Sequence, residues 1–357
     1  MSSDRKKAIE TLNTKKVWIP AGISIGFVVY MLLTDENFSA EKLSLIFTGK
    51  PFPLFMAGVL LVIKEGAYMF RIYFLSDKKL TFTGSAYIIL LWEFASAVTP
   101  SVVGGTPVAV FLMMKEGINV GKSLAYAMIT AIFDNLYLVI LTPVIYLLYK
   151  DKLFNFDTSD LFIDSIPTVL AISYSLILFY TVIMIFSIFY QPRLFKWILI
   201  KITGIKFLRK WRYNAYQYGN EIMMASVELR GKGFSYWWRI SYTTFISWTA
   251  RFAMLNFMII AFIEISLNEH FISFSKHLVL WNIMLASPTP GSSFAAEMGF
   301  SAFFGVLLQD FTAGVTILWR TYTYYPFLLI GSIVLPRWIS RVYLKKGKRN
   351  VATTPAE

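Results

Sequence analysis

Six stretches of this chain are apolar for long enough to cross a lipid bilayer: about Val17 to Leu33, Phe52 to Leu75, Ser123 to Tyr149, Ile166 to Tyr190, Tyr236 to Ile263 and Phe311 to Leu335. A spanning helix needs about 20 mainly apolar residues. Hydrocarbon offers no water to backbone amides, so only helices or closed barrels cross it. The runs predict an all-α polytopic membrane protein, a single integral membrane domain over residues 1–357. With 56% hydrophobic and only 15% charged residues, the chain is too apolar for an ordinary soluble domain. No A-x-A cleavage pattern follows Val17 to Leu33, which is therefore expected to stay as an anchor. The chain has no cysteine, so disulfides, thiol nucleophiles and thiolate metal sites are excluded. Its two histidines, His270 and His277, are expected in or beside a loop and make no imidazole cage. No metal and no cofactor is expected.

Two further apolar stretches, Ser85 to Met114 and His277 to Leu308, are each broken near the middle. The first break holds Thr99, Pro100, Gly104, Gly105, Thr106 and Pro107; the second holds Pro288, Pro290, Gly291, Ser292 and Ser293. Loop charge decides how these stretches run. The amino-terminal arm, Arg71 to Leu80, Lys115 to Lys122, Gln191 to Ser235 and the tail from Pro336 carry 25 of the 34 basic residues and 7 of the 21 acidic ones. The remaining loops carry 5 basic and 10 acidic residues. By the positive-inside rule the first set and both termini face the cytoplasm. Each broken stretch then starts and ends on one side, which predicts two re-entrant helical hairpins entering from opposite faces. Six full transmembrane helices plus the two hairpins form an inverted repeat, one copy at about 17–149 and the other at about 166–335. Trp92 before Thr99-Pro100 and Trp281 before Thr289-Pro290 echo the repeat. Irregular backbone at membrane depth lines a wet cavity or is packed in protein, so the breaks mark the expected cavity.

Eight ionisable residues fall inside the apolar segments: Lys64, Glu65, Glu93, Asp134, Arg239, Arg251, Glu297 and Arg320. At a helix centre each costs roughly 2.5–3.5 kcal/mol unless it pairs, faces water or snorkels. Arg239, near a cytoplasmic end beside Trp237 and Trp238, reads as a snorkelling anchor. Lys64 and Glu65 diverge by about 100° on a helix, so their partners are expected on other helices. Three cations, Lys64, Arg251 and Arg320, face four carboxylates, Glu65, Glu93, Asp134 and Glu297, which leaves one carboxylate in excess. These residues are either structural ion pairs or a polar path for a charged headgroup. Two helix starts favour the path: Thr106 as an N-cap before Pro107, and Gly291-Ser292-Ser293, each aiming free amides at the cavity.

The connector at about 191–235 interleaves Lys196, Lys201, Lys206, Arg209, Lys210 and Arg212 with Trp197, Phe207 and Trp211, a basic amphipathic segment suited to anionic lipid surfaces rather than nucleic acid. There is no G-x-S-x-G, H-E-x-x-H or Walker sequence, so no enzyme is expected.

The stretch Pro288-Thr289-Pro290-Gly291-Ser292-Ser293-Phe294-Ala295-Ala296-Glu297, followed by Leu318-Trp319-Arg320 and Tyr324-Tyr325, resembles the second-half signature of the lysylphosphatidylglycerol synthase transmembrane region, the flippase-like UPF0104 membrane family. Thr99-Pro100, Gly104-Gly105-Thr106-Pro107 and Gly117 resemble its first-half signature. The resemblance implies a bacterial or archaeal cytoplasmic (inner) membrane protein with a lipid-related role. Founding members continue into a soluble aminoacyl-transferase domain, which is not expected here because the chain ends shortly after the last crossing. The expected function is a lipid flippase or transporter for a phosphate-containing lipid, a phospholipid or a polyprenyl-phosphate-linked lipid. The alternative is the non-catalytic membrane module of a lipid-modifying enzyme carried on a separate chain.

Overall fold

The computed structural model describes residues 44–99, 105–156, 161–285, 287 and 292–351, and among them every regular element is helical. The expected crossing Val17 to Leu33 and the residues Pro100, Gly104, Pro288, Pro290 and Gly291 lie outside the described residues. The helices are α1 (Pro51–Leu75), α2 (Phe82–Val98), α3 (Thr106–Lys115), α4 (Val120–Leu153), α5 (Leu161–Ile185), α6 (Pro192–Ile202), α7 (Arg212–Arg230), α8 (Phe234–Ile260), α9 (Leu267–Leu285), α10 (Ser293–Leu308), α11 (Thr312–Thr323) and α12 (Tyr325–Val351).

Among the described residues, four helical stretches are long and apolar enough to cross a membrane: Pro51–Leu75, Val120–Leu153, Ile163–Tyr190 and Ala295–Gly331. The first three coincide with expected crossings. Their outward faces are apolar, with Val62 on α1, Leu147 and Leu148 on α4 and Leu176 and Phe179 on α5 all exposed, as befits helices whose solvent is lipid. Tyr236 to Ile263 falls on the 27-residue α8, whose Arg239, Arg251 and run of Ser and Thr make it more polar than these. Phe311 to Leu335 is not the single helix expected. The chain breaks at Tyr324, where φ is −131° and ψ −60°. Pro326 explains the break, because it has no N–H for the carbonyl one turn earlier and its ring crowds the preceding turn.

The two helix pairs that flank the breaks are antiparallel. Phe82, opening α2, packs on Phe70 and Tyr73 near the end of α1, and Gly84 lies against Glu116 at the end of α3. At the other end of the pair the Gly105 N–H donates to Ser96 Oγ (3.1 Å). In the second pair Ser292 Oγ donates to the Met284 carbonyl (2.8 Å) and Lys276 Nζ to the Phe303 carbonyl (2.9 Å). A Ser266–Glu269 capping box opens α9, each residue satisfying the other's backbone amide.

α1 and α8 pair more extensively than any other two helices described. They run antiparallel, since the Lys50 N–H reaches the Ala261 carbonyl (2.8 Å) at one end while Tyr236 Oη reaches the Leu75 carbonyl (2.8 Å) at the other. α12 lies along α2 so closely that a Cβ on Gly331 would fall 2.1 Å from the Phe94 ring, which only glycine accommodates.

The connector caps one end of this bundle. α6 packs on α7 through Lys196, which donates to Asn220 Oδ1 (2.8 Å) and sits over the Tyr216 ring (3.9 Å). α7 in turn takes the start of α4, where the Gly121 N–H donates to Glu221 Oε2 (2.7 Å) and Lys122 pairs with Glu228 (2.5 Å). That bond to Lys122 holds the Glu228 carboxyl below its ordinary range. Trp197 and Phe207 remain exposed beside the lysines.

Candidate functional site

A cavity of about 320 Å³ opens where the two antiparallel pairs meet. Ser96, Ala97, Gly105 and Thr106 bring the tip of the first pair to its wall, and Met284, Leu285 and Ser292 bring the tip of the second. Both repeat tryptophans, Trp92 and Trp281, line it.

The helix starts at these tips differ from the expectation in detail. Gly105, not Thr106, caps α3; Thr106 and Pro107 are its first helical residues, and no side chain caps it. A Cβ at Gly105 would sit 2.6 Å from the Trp92 carbonyl, so close packing against α2 demands glycine there, and glycine is an acceptable N-cap. Ser292 caps α10 in a left-handed conformation (φ 53°), with its hydroxyl turned to Met284 rather than to the helix amides. Both starts leave first-turn N–H groups without helical partners, and each helix dipole places its positive end at the tip.

Four buried cations are held around this space. Arg71 makes a bidentate pair with Asp134 (2.5 and 3.1 Å) and also donates to Thr244 Oγ1 (3.1 Å). Trp248 Nε1–H donates to the same carboxylate (2.6 Å). Arg251 lies over the Trp281 ring (4.3 Å), is flanked by Trp248 (5.1 Å), and donates to Tyr68 Oη (3.3 Å) and Glu93 (3.5 Å). Its Nε is buried with no hydrogen-bond partner among the described residues. Lys64 reaches both Glu65 (2.5 Å) and Glu93 (3.1 Å) and lies over the Phe327 ring (4.9 Å). Arg320 pairs with Glu297 (3.1 Å) and sits over Tyr324 (4.2 Å).

Of the residues singled out in the sequence, Glu93, Asp134, Arg251, Arg320, Gly105, Thr106 and Ser292 line the cavity. Lys64 and Glu297 stand behind its wall as ion-pair partners. Three expectations are corrected. Lys64 has its expected partner on another helix, Glu93, but also pairs with its neighbour Glu65, because the long lysine stem bridges the angular offset between adjacent helical positions. Arg71 is not a loop residue: it is 3% exposed, within α1, and completes a set of four cations against four carboxylates, so among the described residues at the cavity no carboxylate is left in excess. His277 is not beside a loop but fully buried within α9, edge-on to Phe252 and Trp319. Arg239 is exposed, as a snorkelling residue should be, and stacks over Phe74 (5.6 Å).

Trp319 and Tyr324, which stand in the second-half signature, line the cavity, and so do two aromatic residues that the sequence pattern did not single out, Tyr68 and Trp248. Helical spacing was the available signal: Tyr68 and Arg71 lie three apart, as do Trp248 and Arg251, so each ring shares a face with its arginine. Among the described residues no group of three His, Asp or Glu side chains is arranged to hold a metal ion.

The model of the lysylphosphatidylglycerol synthase transmembrane region matches residues 17–331. A UPF0104 membrane protein of Archaeoglobus fulgidus is 24% identical over 261 residues, covering 71% of this chain and 76% of the relative. No solved structure matches the chain. The match runs through both antiparallel pairs and every cavity residue described above, and on that extent the chain belongs to the lysylphosphatidylglycerol synthase transmembrane region family of multi-pass membrane proteins.

Proposed function

We propose that this protein is a transporter that moves a phosphate-containing lipid across the cytoplasmic membrane, with the headgroup passing through the cavity while the acyl chains stay in lipid. The observation that carries the reading is Arg251: a guanidinium wrapped by Trp281, Trp248 and Tyr68, with a buried unpartnered Nε, at the junction of two broken helix pairs. A buried donor without an acceptor is costly, and an anionic oxygen would satisfy it. Two helix N-termini at the same cavity favour the same charge. The antiparallel pairs act as re-entrant hairpins, one from each face, and the opposed α1 and α8 supply the inverted repeat. The family's description as the transmembrane region of a lipid synthase also favours a second reading, a non-catalytic membrane module that serves a lipid-modifying enzyme on another chain.

The vesicle experiment separates the two. Purified protein alone in phosphatidylcholine vesicles is expected to accelerate the movement of fluorescently labelled phosphatidylglycerol between leaflets. A module that needs its enzyme would leave the rate at that of empty vesicles. The orientation is tested on single-cysteine variants, since the native chain offers no background thiol. Positions 37, 155 and 268 should react with an impermeant thiol reagent from outside, and positions 78 and 214 should not. Labelling of 155 and 214 from the same side would exclude the inverted repeat.

A further inference from the structure

Among the described residues the ion pairs around the cavity balance: Lys64, Arg71, Arg251 and Arg320 against Glu65, Glu93, Asp134 and Glu297. A neutral cluster cannot take in a monoanionic headgroup without either acquiring a net charge in a medium of low dielectric or gaining a compensating positive charge. The compensating charge available everywhere in water is the proton, which makes the identity of its acceptor the question.

Geometry selects one carboxylate. Glu297 is 2% exposed and Glu65 10%, both turned away from the cavity. Asp134 is 22% exposed but held by two bonds from Arg71 and one from Trp248. Glu93 is 21% exposed and lines the cavity, and its bond to Arg251 is the longest ion pair of the set, 3.5 Å. The charged groups facing Glu93 are Lys64 and Arg71 from α1 and Arg251 from α8, with Glu65 close by on the other side of Lys64 and Tyr68 bonded to Arg251. From the other neighbours, Asp134 of α4 shares the cavity, Arg320 of α11 belongs to Glu297, and Lys115 of α3 lies over the Phe111 ring. On α12, Arg341 is bound to Glu116 and Arg337 is exposed. Protonating Glu93 leaves Lys64 with Glu65 and releases Arg251, which the Tyr68, Trp248 and Trp281 rings flank.

We infer that this protein couples each phosphodiester headgroup to one proton, with Glu93 as the proton carrier and Arg251 as the headgroup's partner. The inference rests on the transport reading above. Charge balances at each stage. Before loading, four cations face four carboxylates. After loading, Glu93 is neutral, its salt bridges to Lys64 and Arg251 are gone, and the phosphodiester supplies the fourth negative charge. Headgroup binding therefore strengthens as pH falls, and the loaded and empty states carry the same charge.

The test uses the full chain in phosphatidylcholine vesicles with a trace of fluorescent phosphatidylglycerol, its distribution between leaflets read by quenching from outside. A pH difference of one unit should drive the probe toward the leaflet facing the alkaline compartment, to a ratio of about tenfold at steady state. A potassium diffusion potential at equal pH should leave the two leaflets even. Glu93→Gln removes the carrier, so the response to pH should disappear and a response to potential should replace it. If that variant does not fold, the wild-type arms decide alone. Wild-type movement that ignores the pH difference, or that follows the potential, overturns proton coupling and leaves transport standing. No movement under any gradient overturns both.

Discussion

Replacing Arg251 with glutamine should slow lipid movement by about 10- to 100-fold, the worth of one charge-assisted hydrogen bond, with the protein still folded and monodisperse. Arg320→Gln should do the same. The two positions differ in what a lysine could restore. Arg251 reaches Tyr68 and Glu93 through one terminal nitrogen while its Nε has no hydrogen-bond partner among the described residues, a division of labour that needs the several donors of a guanidinium, so Arg251→Lys should recover little. Arg320 is bound to the Glu297 carboxylate and lies over the Tyr324 ring. If it acts on the headgroup as a point charge, Arg320→Lys should recover a measurable part of the rate. Arg341→Gln is the control, because Arg341 pairs with Glu116 and is no part of the cavity wall. Equal rates for wild type and both glutamine variants at matched protein amounts would reduce Arg251 and Arg320 to structural ion-pair partners.

Asp134→Ala should destabilise the fold by about 3–5 kcal/mol, because it strands the buried guanidinium of Arg71 with Thr244 as its remaining hydrogen-bond partner. In detergent this should appear as a melting temperature lower by about 10 °C. The double change Arg71→Met with Asp134→Leu removes both charges and should return most of that loss, since a well-packed apolar pair replaces a buried ion pair at little cost. A double variant as unstable as the single one would mean that Trp248, which also donates to Asp134, depends on the carboxylate more than Arg71 does.

The helical plan was legible because hydrocarbon imposes it: Phe52 to Leu75, Ser123 to Tyr149 and Ile166 to Tyr190 coincide with helices to within a few residues. The Phe311 to Leu335 run was less so, since apolar character persists straight through Tyr324 while the backbone does not, and the reason lies in one proline that hydrophobicity ignores. The site was half legible. A charge surrounded by apolar sequence announces itself, as Lys64, Glu93, Asp134, Arg251, Glu297 and Arg320 did. Arg71 did not, because it stands at the edge of its apolar run and counting by segment assigns such a residue to the loop. Its burial depends on Asp134, 63 positions away, and a pairing of that range is not written in local composition. His277 misled for the same reason, since its Phe252 and Trp319 neighbours come from two other helices.

The break at Tyr324 has a mechanical side. Its phenol donates to the Ala97 carbonyl at the last turn of α2 (3.2 Å), and one turn earlier Arg320 grips Glu297 on α10. A single short stretch of chain is thereby fastened to both helix pairs at once, and neither pair can draw away from it without letting go of one of those two holds.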